Sequence, residues 1–260
     1  MVEKTSMMTA NRLAEIQRSL EKTVLRIATG KQIVSASDDA AGLAMSMAIE
    51  SQTRGLTGQI ANRQDEISLL QTAEGGMSQI GEMTQRISEL SVQAANGTLT
   101  TEDRQAIQAE ITQLNAGIDQ ISGSTNYNTK PLLDGSLNIQ LQNGNQLAIP
   151  ALDSAKLGTS AIDVTTVNGA NAAMTSAGRA GEAVVSERSR VGAITNGITS
   201  EITGLQQELM NALSAQSRIS DVDMAQAVLQ MTTQQIQQDA TMRVFKIDEA
   251  ARSKVLQLLS

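Results

Sequence analysis

Cysteine, histidine and tryptophan are absent from this 260-residue chain, and its only aromatic rings are those of Tyr127 and Phe245. Without cysteine there is no disulfide framework and no thiol nucleophile. Without histidine the Ser-His-Asp, Cys-His and HExxH arrangements are impossible, and the usual zinc sites lose their ligands. With aromatics at 1%, a thick core wedged by rings is excluded. The chain is nevertheless 40% hydrophobic, so thin bundles of Ala, Ile, Leu, Val and Met are what remains. Such bundles expose much surface per residue, and part of their burial is expected from neighbouring copies.

Positive charge is also scarce. A formal charge of −7 and a pI near 4.8 argue against nucleic acid or an anionic membrane as partner, because both demand a basic surface. Long apolar runs are missing: residues 40–49 come closest and are broken by Gly42 and Ser46. The opening MVEKTSMM has no uninterrupted apolar core. Neither a membrane span nor a cleavable signal is expected, so a site of action outside the cell requires an export route that reads no such signal. Neither GxxxxGK[ST] nor GxGxxG occurs. Asp38-Asp39 reads as a helix cap rather than a catalytic or metal-binding pair, because adjacent helix-start residues face different ways. Asp221 and Asp223 open like a calcium loop, but Ala225 occupies the third acidic position and the pattern fails. No catalytic residue, cofactor or metal is expected.

What the chain does have is helical periodicity. Ile67, Leu70, Ala73, Met77, Ile80, Met83, Ile87, Leu90 and Ala94 recur about every 3.4 residues, near the ~3.5 of a heptad seam. The rhythm returns in Ile107, Ile111, Leu114, Ile118 and Ile121, and again in Val191, Ile198, Ile202, Leu205, Leu209 and Ala212 if Ile194 or Thr195 fills the gap after Val191. None of these stripes can bury its apolar face alone. Before them, Leu13, Ile16, Leu20, Val24 and Ile27 form an amphipathic helix ended by Gly30. Ser37, Asp38 or Asp39 then caps a helix beginning at Ala40, which runs into the central stripe. Within it, Gly75-Gly76 reads as a site of close helix approach, with a local kink as the other reading.

This helix is expected to stop at Asn96-Gly97. Thr100 or Thr101 with Glu102 and Asp103 starts the next, giving an antiparallel hairpin. After Gly123 the period shortens. Leu137, Ile139 and Leu141 alternate with polar residues, Asn143-Gly144 follows, and Leu147 and Ile149 alternate again, which predicts a β-hairpin. Residues 151–181 read as surface loop with a short strand over 162–167. Helix resumes near Glu182, and 220–223 caps a last helix with Met224, Val228, Met231, Met242, Phe245, Val255 and Leu258 as its stripe. Gln234, Gln235, Gln237 and Gln238 interrupt that stripe, and so ragged a face is not stable alone. The expected fold is mainly α: a long antiparallel helical bundle, a small β-hairpin region and coiled-coil-like terminal helices.

From Ser37-Asp-Asp-Ala-Ala-Gly-Leu-Ala44 onward the chain resembles bacterial flagellin. Arg54-Gly-Leu56, Gln71-Thr-Ala-Glu-Gly75, Glu89-Leu-Ser-Val-Gln-Ala-Ala-Asn-Gly-Thr98 and Ile107-Gln-Ala-Glu-Ile111 match flagellin motifs in flagellin order. Leu132-Leu-Asp-Gly135, Ser217-Arg-Ile-Ser-Asp-Val-Asp-Met-Ala225 and Val255-Leu-Gln-Leu-Leu259 continue the series. The resemblance implies a short form lacking the large variable outer domains. It implies a terminal helical core domain from 1–37 with 217–260, a helical rod domain from 38–130 with 178–216, and a β-hairpin and surface loop region over 131–177. Helical self-polymerisation into the motility filament, unfolded export through the flagellar type III apparatus, and encounters with an export chaperone, cap and junction proteins are further implications. So is location in the extracellular flagellum.

By the same resemblance, Leu13, Ile16, Leu20, Val24, Val228, Met231, Met242, Phe245 and Leu258 are candidate assembly positions. Arg86, Leu90, Gln93 and Glu110 match positions through which family members engage a vertebrate innate immune receptor, although Ser88 stands where many have Arg. Val34 replaces an Asn expected near the start. Two alternatives stay open at this point: the hook-filament junction protein, and a flagellin-like surface protein with a ligand site in 151–180.

Overall fold

The computed structural model describes residues 2–140, 144 and 146–259. Six helices and two small strand pairs follow one another among them. They are α1 (Val2–Thr29), α2 (Ala40–Ala94), α3 (Thr101–Ser124), β1 (Asn126–Tyr127), β2 (Lys130–Pro131), β3 (Asn138–Gln140), β4 (Gln146–Ala148), α4 (Ser154–Leu157), α5 (Val167–Ser220) and α6 (Met224–Leu259). The fold is mainly α. Two compact units arise, one from Met1–Thr57 with Gln207–Ser260 and the other from Gly58–Gln206, and α2 and α5 each supply residues to both.

The 58–206 unit holds one apolar core. Leu70, Met77, Ile80, Ile87 and Leu90 of α2 pack with Ile111 and Ile118 of α3 and with Val184, Val191 and Ile198 of α5. The helix ends are closed by specific groups. Thr100 and Asp103 form a capping box at the start of α3, satisfying two orphan amides reciprocally. Arg104, itself buried, donates from Nε to the carbonyl of Ala94 (3.0 Å) and from Nη2 to that of Asn96 (2.9 Å), so one guanidinium ties the end of α2 to the start of α3.

Gly75 and Gly76 differ. A Cβ on Gly75 would meet open space, whereas one on Gly76 would lie 2.7 Å from Leu133 Cδ1 and 2.8 Å from Thr125 Oγ1. The close approach is therefore real, but it is made by the chain just after α3 and not by another helix. α2 is continuous through both.

The predicted β-hairpin is present, with Ile139 opposite Leu147 and Gly144 at φ +83°. Leu141 and Asn143 lie outside the described residues. A second, smaller hairpin pairs Asn126 with Pro131 and Tyr127 with Lys130. Its turn residues Asn128 and Thr129 both have positive φ, at 48° and 66°, a conformation that sequence reading assigns to Asn-Gly.

The expectation of surface loop over 151–181, with a strand at 162–167, is overturned. Leu152, Leu157, Ile162 and Val164 are core residues, no strand forms at 162–167, and α5 begins at Val167, well before Glu182. Ala170, Ala173, Ala177 and Ala180 lie buried one helical turn apart, extending the stripe of Val184 and Val191 with side chains too small to register as an apolar pattern. In place of a partner strand, Gln108 on α3 donates from Nε2 to the carbonyl of Ile162 (3.0 Å) and accepts from the amide of Val164 at Oε1 (2.8 Å). Asn115 donates to the carbonyl of Thr159, and Asp119 accepts from the amide and hydroxyl of Ser154. Side chains on one helix thus do the hydrogen bonding of a sheet edge.

Candidate assembly surface on the terminal helices

In the unit built from the two chain ends, α1 packs closely along α6. Thr9, Leu13, Ile16, Leu20, Thr23 and Ile27 are the buried or half-buried positions along one side of α1, at alternating steps of four and three. Thr23 takes the place expected of Val24. The Thr23 hydroxyl is satisfied by the Ser19 carbonyl at 2.9 Å, while Val24 turns outward. Val24, read from its spacing as part of the apolar stripe of α1, lies on the outward face instead.

On α6 the corresponding series is Ala227, Met231, Gln234, Gln238, Thr241, Phe245 and Asp248. It has the same four-three rhythm, but three of its seven members are uncharged polar residues and one is acidic. Gln234 Nε2 donates to Ser19 Oγ on α1 at 2.8 Å. The glutamines that seemed in the sequence to interrupt the stripe include two that occupy the inner seam. Val228 and Met242, read as members of the same stripe, are exposed at 43% and 37%, while Met231 and Phe245 are half-buried as a seam requires. The side chain of Leu258 lies outside the described residues.

The outward side of α6 carries large apolar side chains among its exposed polar ones. Leu229, Ile236 and Ile247 are 65–69% exposed, and Val244 is exposed beside them. Met7, Met8 and Leu25 add to this on α1. In the 58–206 unit, by contrast, the large apolar side chains found exposed among the described residues are Val92, Val167 and Val185. A heptad count started at Ala227, instead of at the most hydrophobic residues, would have separated the two faces of α6 in the sequence.

The joint between α1 and α2 is fastened locally. The Gln32 amide donates to the Ser220 carbonyl and the Val222 amide to that of Gly30, so the two connecting segments lie side by side. Asp39 caps α2 by accepting from the Gly42 amide at 2.9 Å, and Asp223 caps α6 by accepting from the amides of Ala225 and Gln226. Asp38 instead accepts from the amides of Val34 and Ser35 and pairs with the Lys22 ammonium. That ammonium above all, with the two amides, holds the Asp38 carboxyl well below the usual carboxylate range.

The positions matched to receptor contact sit elsewhere, on α2 and α3. Arg86 donates from Nε (3.0 Å) and Nη2 (2.8 Å) to Glu110 Oε1, and Gln93 is exposed. Leu90 is 1% exposed and belongs to the bundle core. Among the described residues no cluster of three or more acidic side chains is placed to hold a metal, and no helix is long and apolar enough to cross a membrane.

Long helices, paired chain ends and a concentration of apolar surface on those ends define a structural subunit. Family models for the bacterial flagellin N-terminal and C-terminal helical regions match residues 3–138 and 174–259 respectively. The chain belongs to the bacterial flagellin family and is a structural subunit of the flagellar filament. It is 36% identical to a flagellin of Halalkalibacterium halodurans over 92% of this chain and 91% of that protein. A crystal structure of Bacillus cereus flagellin matches with a TM-score of 0.50 at 28% identity, over 56% of this chain and 88% of that one. A Vibrio parahaemolyticus protein described as flagellar hook-associated matches with a TM-score of 0.62 at 12% identity, over 71% of this chain and all of that one, a likeness of fold alone.

Proposed function

We propose that the chain polymerises with copies of itself through the outward apolar faces of α1 and α6. Export, unfolded, through the flagellar type III apparatus precedes assembly, with an export chaperone, cap and junction proteins as passing partners. The observation that carries this reading is the inverted polarity of α6. Its inner seam holds Gln234, Gln238 and Thr241, while Leu229, Ile236 and Ile247 face solvent. In an isolated helical pair that arrangement places apolar area in water and polar groups at the contact, the reverse of what burial favours. Copies packed against the outer face would remove the exposed area. The assembling portion is assigned to 1–37 with 217–260.

Removing residues 221–260 tests this. The truncated chain is expected to keep a folded middle and to form no filaments, and normal filaments from it would overturn the reading. Copy number separates the filament role, with thousands of subunits, from the junction role, with a few.

A second reading concerns innate receptor recognition. Arg86 and Gln93, seven residues apart on one side of α2, are exposed together with Glu110. Binding of the receptor ectodomain to the intact chain, weakened by Gln93→Ala, is the expected result. Binding unaffected by that change, or no binding at all, would dispose of it. Leu90 would act only by supporting the helix from within.

A further inference from the structure

Methionine is divided between the two units according to exposure. Met7, Met8, Met45, Met47, Met210, Met224 and Met242 are all exposed, and all lie in the unit built from the chain ends, where Met231 is half-buried. The methionines of the 58–206 unit are sheltered: Met77 is fully buried, and Met83 and Met174 are half-buried. The chain has no cysteine, histidine or tryptophan to compete for an oxidant, and Tyr127 is half-buried. A two-electron oxidant meeting the free subunit therefore has the thioethers of the terminal unit as its foremost targets.

Resting on the assembly reading above, we propose that the exposed methionines of the assembling portion, Met7, Met8, Met224 and Met242, are a reversible oxidation site that sets whether a free subunit can assemble. The co-reactant is hydrogen peroxide. A sulfur lone pair attacks one peroxide oxygen, the O–O bond breaks, an S–O bond forms, and a proton shift releases water. Sulfur loses two electrons and the peroxide gains them. The product sulfoxide is polar where a flexible apolar side chain stood, so burying it against another copy requires a hydrogen-bond donor that an apolar contact does not supply. A thiol-dependent sulfoxide reductase reverses the step, releasing the oxygen as water while two thiols become a disulfide. Met7, Met8, Met224 and Met242 lie in the portion assigned to assembly, so once a subunit is in the filament neighbouring copies cover these sulfurs, and the site is open before assembly and closed after it.

The test uses the full chain. Monomer is treated with graded hydrogen peroxide, oxygen gain is mapped by peptide mass spectrometry, and assembly is then started with sulfate. Met45 and Met47 are expected to gain oxygen well before Met77, and the critical concentration for assembly to rise about tenfold or more. Reductase treatment should restore assembly, and preformed filaments should take up oxygen more slowly at the terminal methionines than monomer does. A chain with Met7, Met8, Met45, Met47, Met210, Met224 and Met242 all changed to Leu should assemble and keep assembling after peroxide. Unchanged protease resistance of the oxidised middle excludes general unfolding as the cause.

Assembly of untreated and oxidised chain alike would overturn the proposal while leaving the assembly reading intact. So would oxidation of Met77 at the rate of Met45. Failure of the untreated chain to assemble would overturn the assembly reading and the proposal with it.

Discussion

Gln234 on α6 reaches Ser19 on α1, Nε2 to Oγ at 2.8 Å, across a chain separation of 215 residues. The contact places an amide and a hydroxyl where a coiled coil ordinarily sets two apolar side chains. A polar seam fixes register at a cost in stability. Gln234→Leu is therefore expected to tighten the terminal pair of the free monomer by about 1 kcal/mol. Limited proteolysis checks it: the chain ends of the variant should be cut more slowly than those of the parent, and faster cutting would mean that the hydrogen bond outweighs burial.

Lys22 and Asp38 make the joint below α2 sensitive to acid. The folded-state pKa of Asp38 is depressed, so its contribution to stability is complete above the unfolded value of about 3.9 and is lost as pH falls from there through the folded value. The amides of Val34 and Ser35, which donate to this carboxylate, report on it directly. Asp38→Asn should raise their hydrogen-exchange rates at neutral pH relative to amides of the α2 core. As pH falls, their protection factors, taken against the intrinsic rate at each pH, should then drop further in the parent than in the variant.

Adjacent glycines are expected to respond with opposite signs. Gly75→Ala adds a methyl in open space within a helix and should stabilise the chain by about 0.5–1 kcal/mol. Gly76→Ala drives a methyl against fully buried Leu133 and should cost roughly 1–3 kcal/mol. Thermal melting of the two variants, side by side, separates close approach from a simple helix-propensity effect.

Most of the helical architecture is legible in the sequence because its signals are periodic and long. The stripe from Ile67 to Ala94, the capping pair Thr100 and Asp103, and the alternation around Ile139 and Leu147 each state their own structure. Residues 152–180 are not legible in the same way. Their core contribution comes from alanines, whose burial leaves little hydrophobic signal, and from Ile162 and Val164, held by a glutamine 54 and 56 residues away in the chain. The turn at Asn128-Thr129 lacks the glycine by which such turns are recognised. On α6 the misreading is of orientation: Val228 and Met242 look like seam residues because hydrophobicity is taken as a sign of burial. On this helix Leu229, Ile236 and Ile247 face out, while Gln234 and Gln238 sit in the seam beside Met231 and Phe245.

The most direct measurement is assembly of the Ile236→Asp chain. Ile236 is 65% exposed and lies on the outer side of α6, away from the Gln234 contact. An exposed substitution of this kind changes monomer stability by no more than about 0.5 kcal/mol. Circular dichroism and melting should therefore match the parent, while sedimentation and electron microscopy should find monomer under conditions in which the parent forms filaments. Filaments at parental yield from the Ile236→Asp chain would contradict the assignment of this face to assembly.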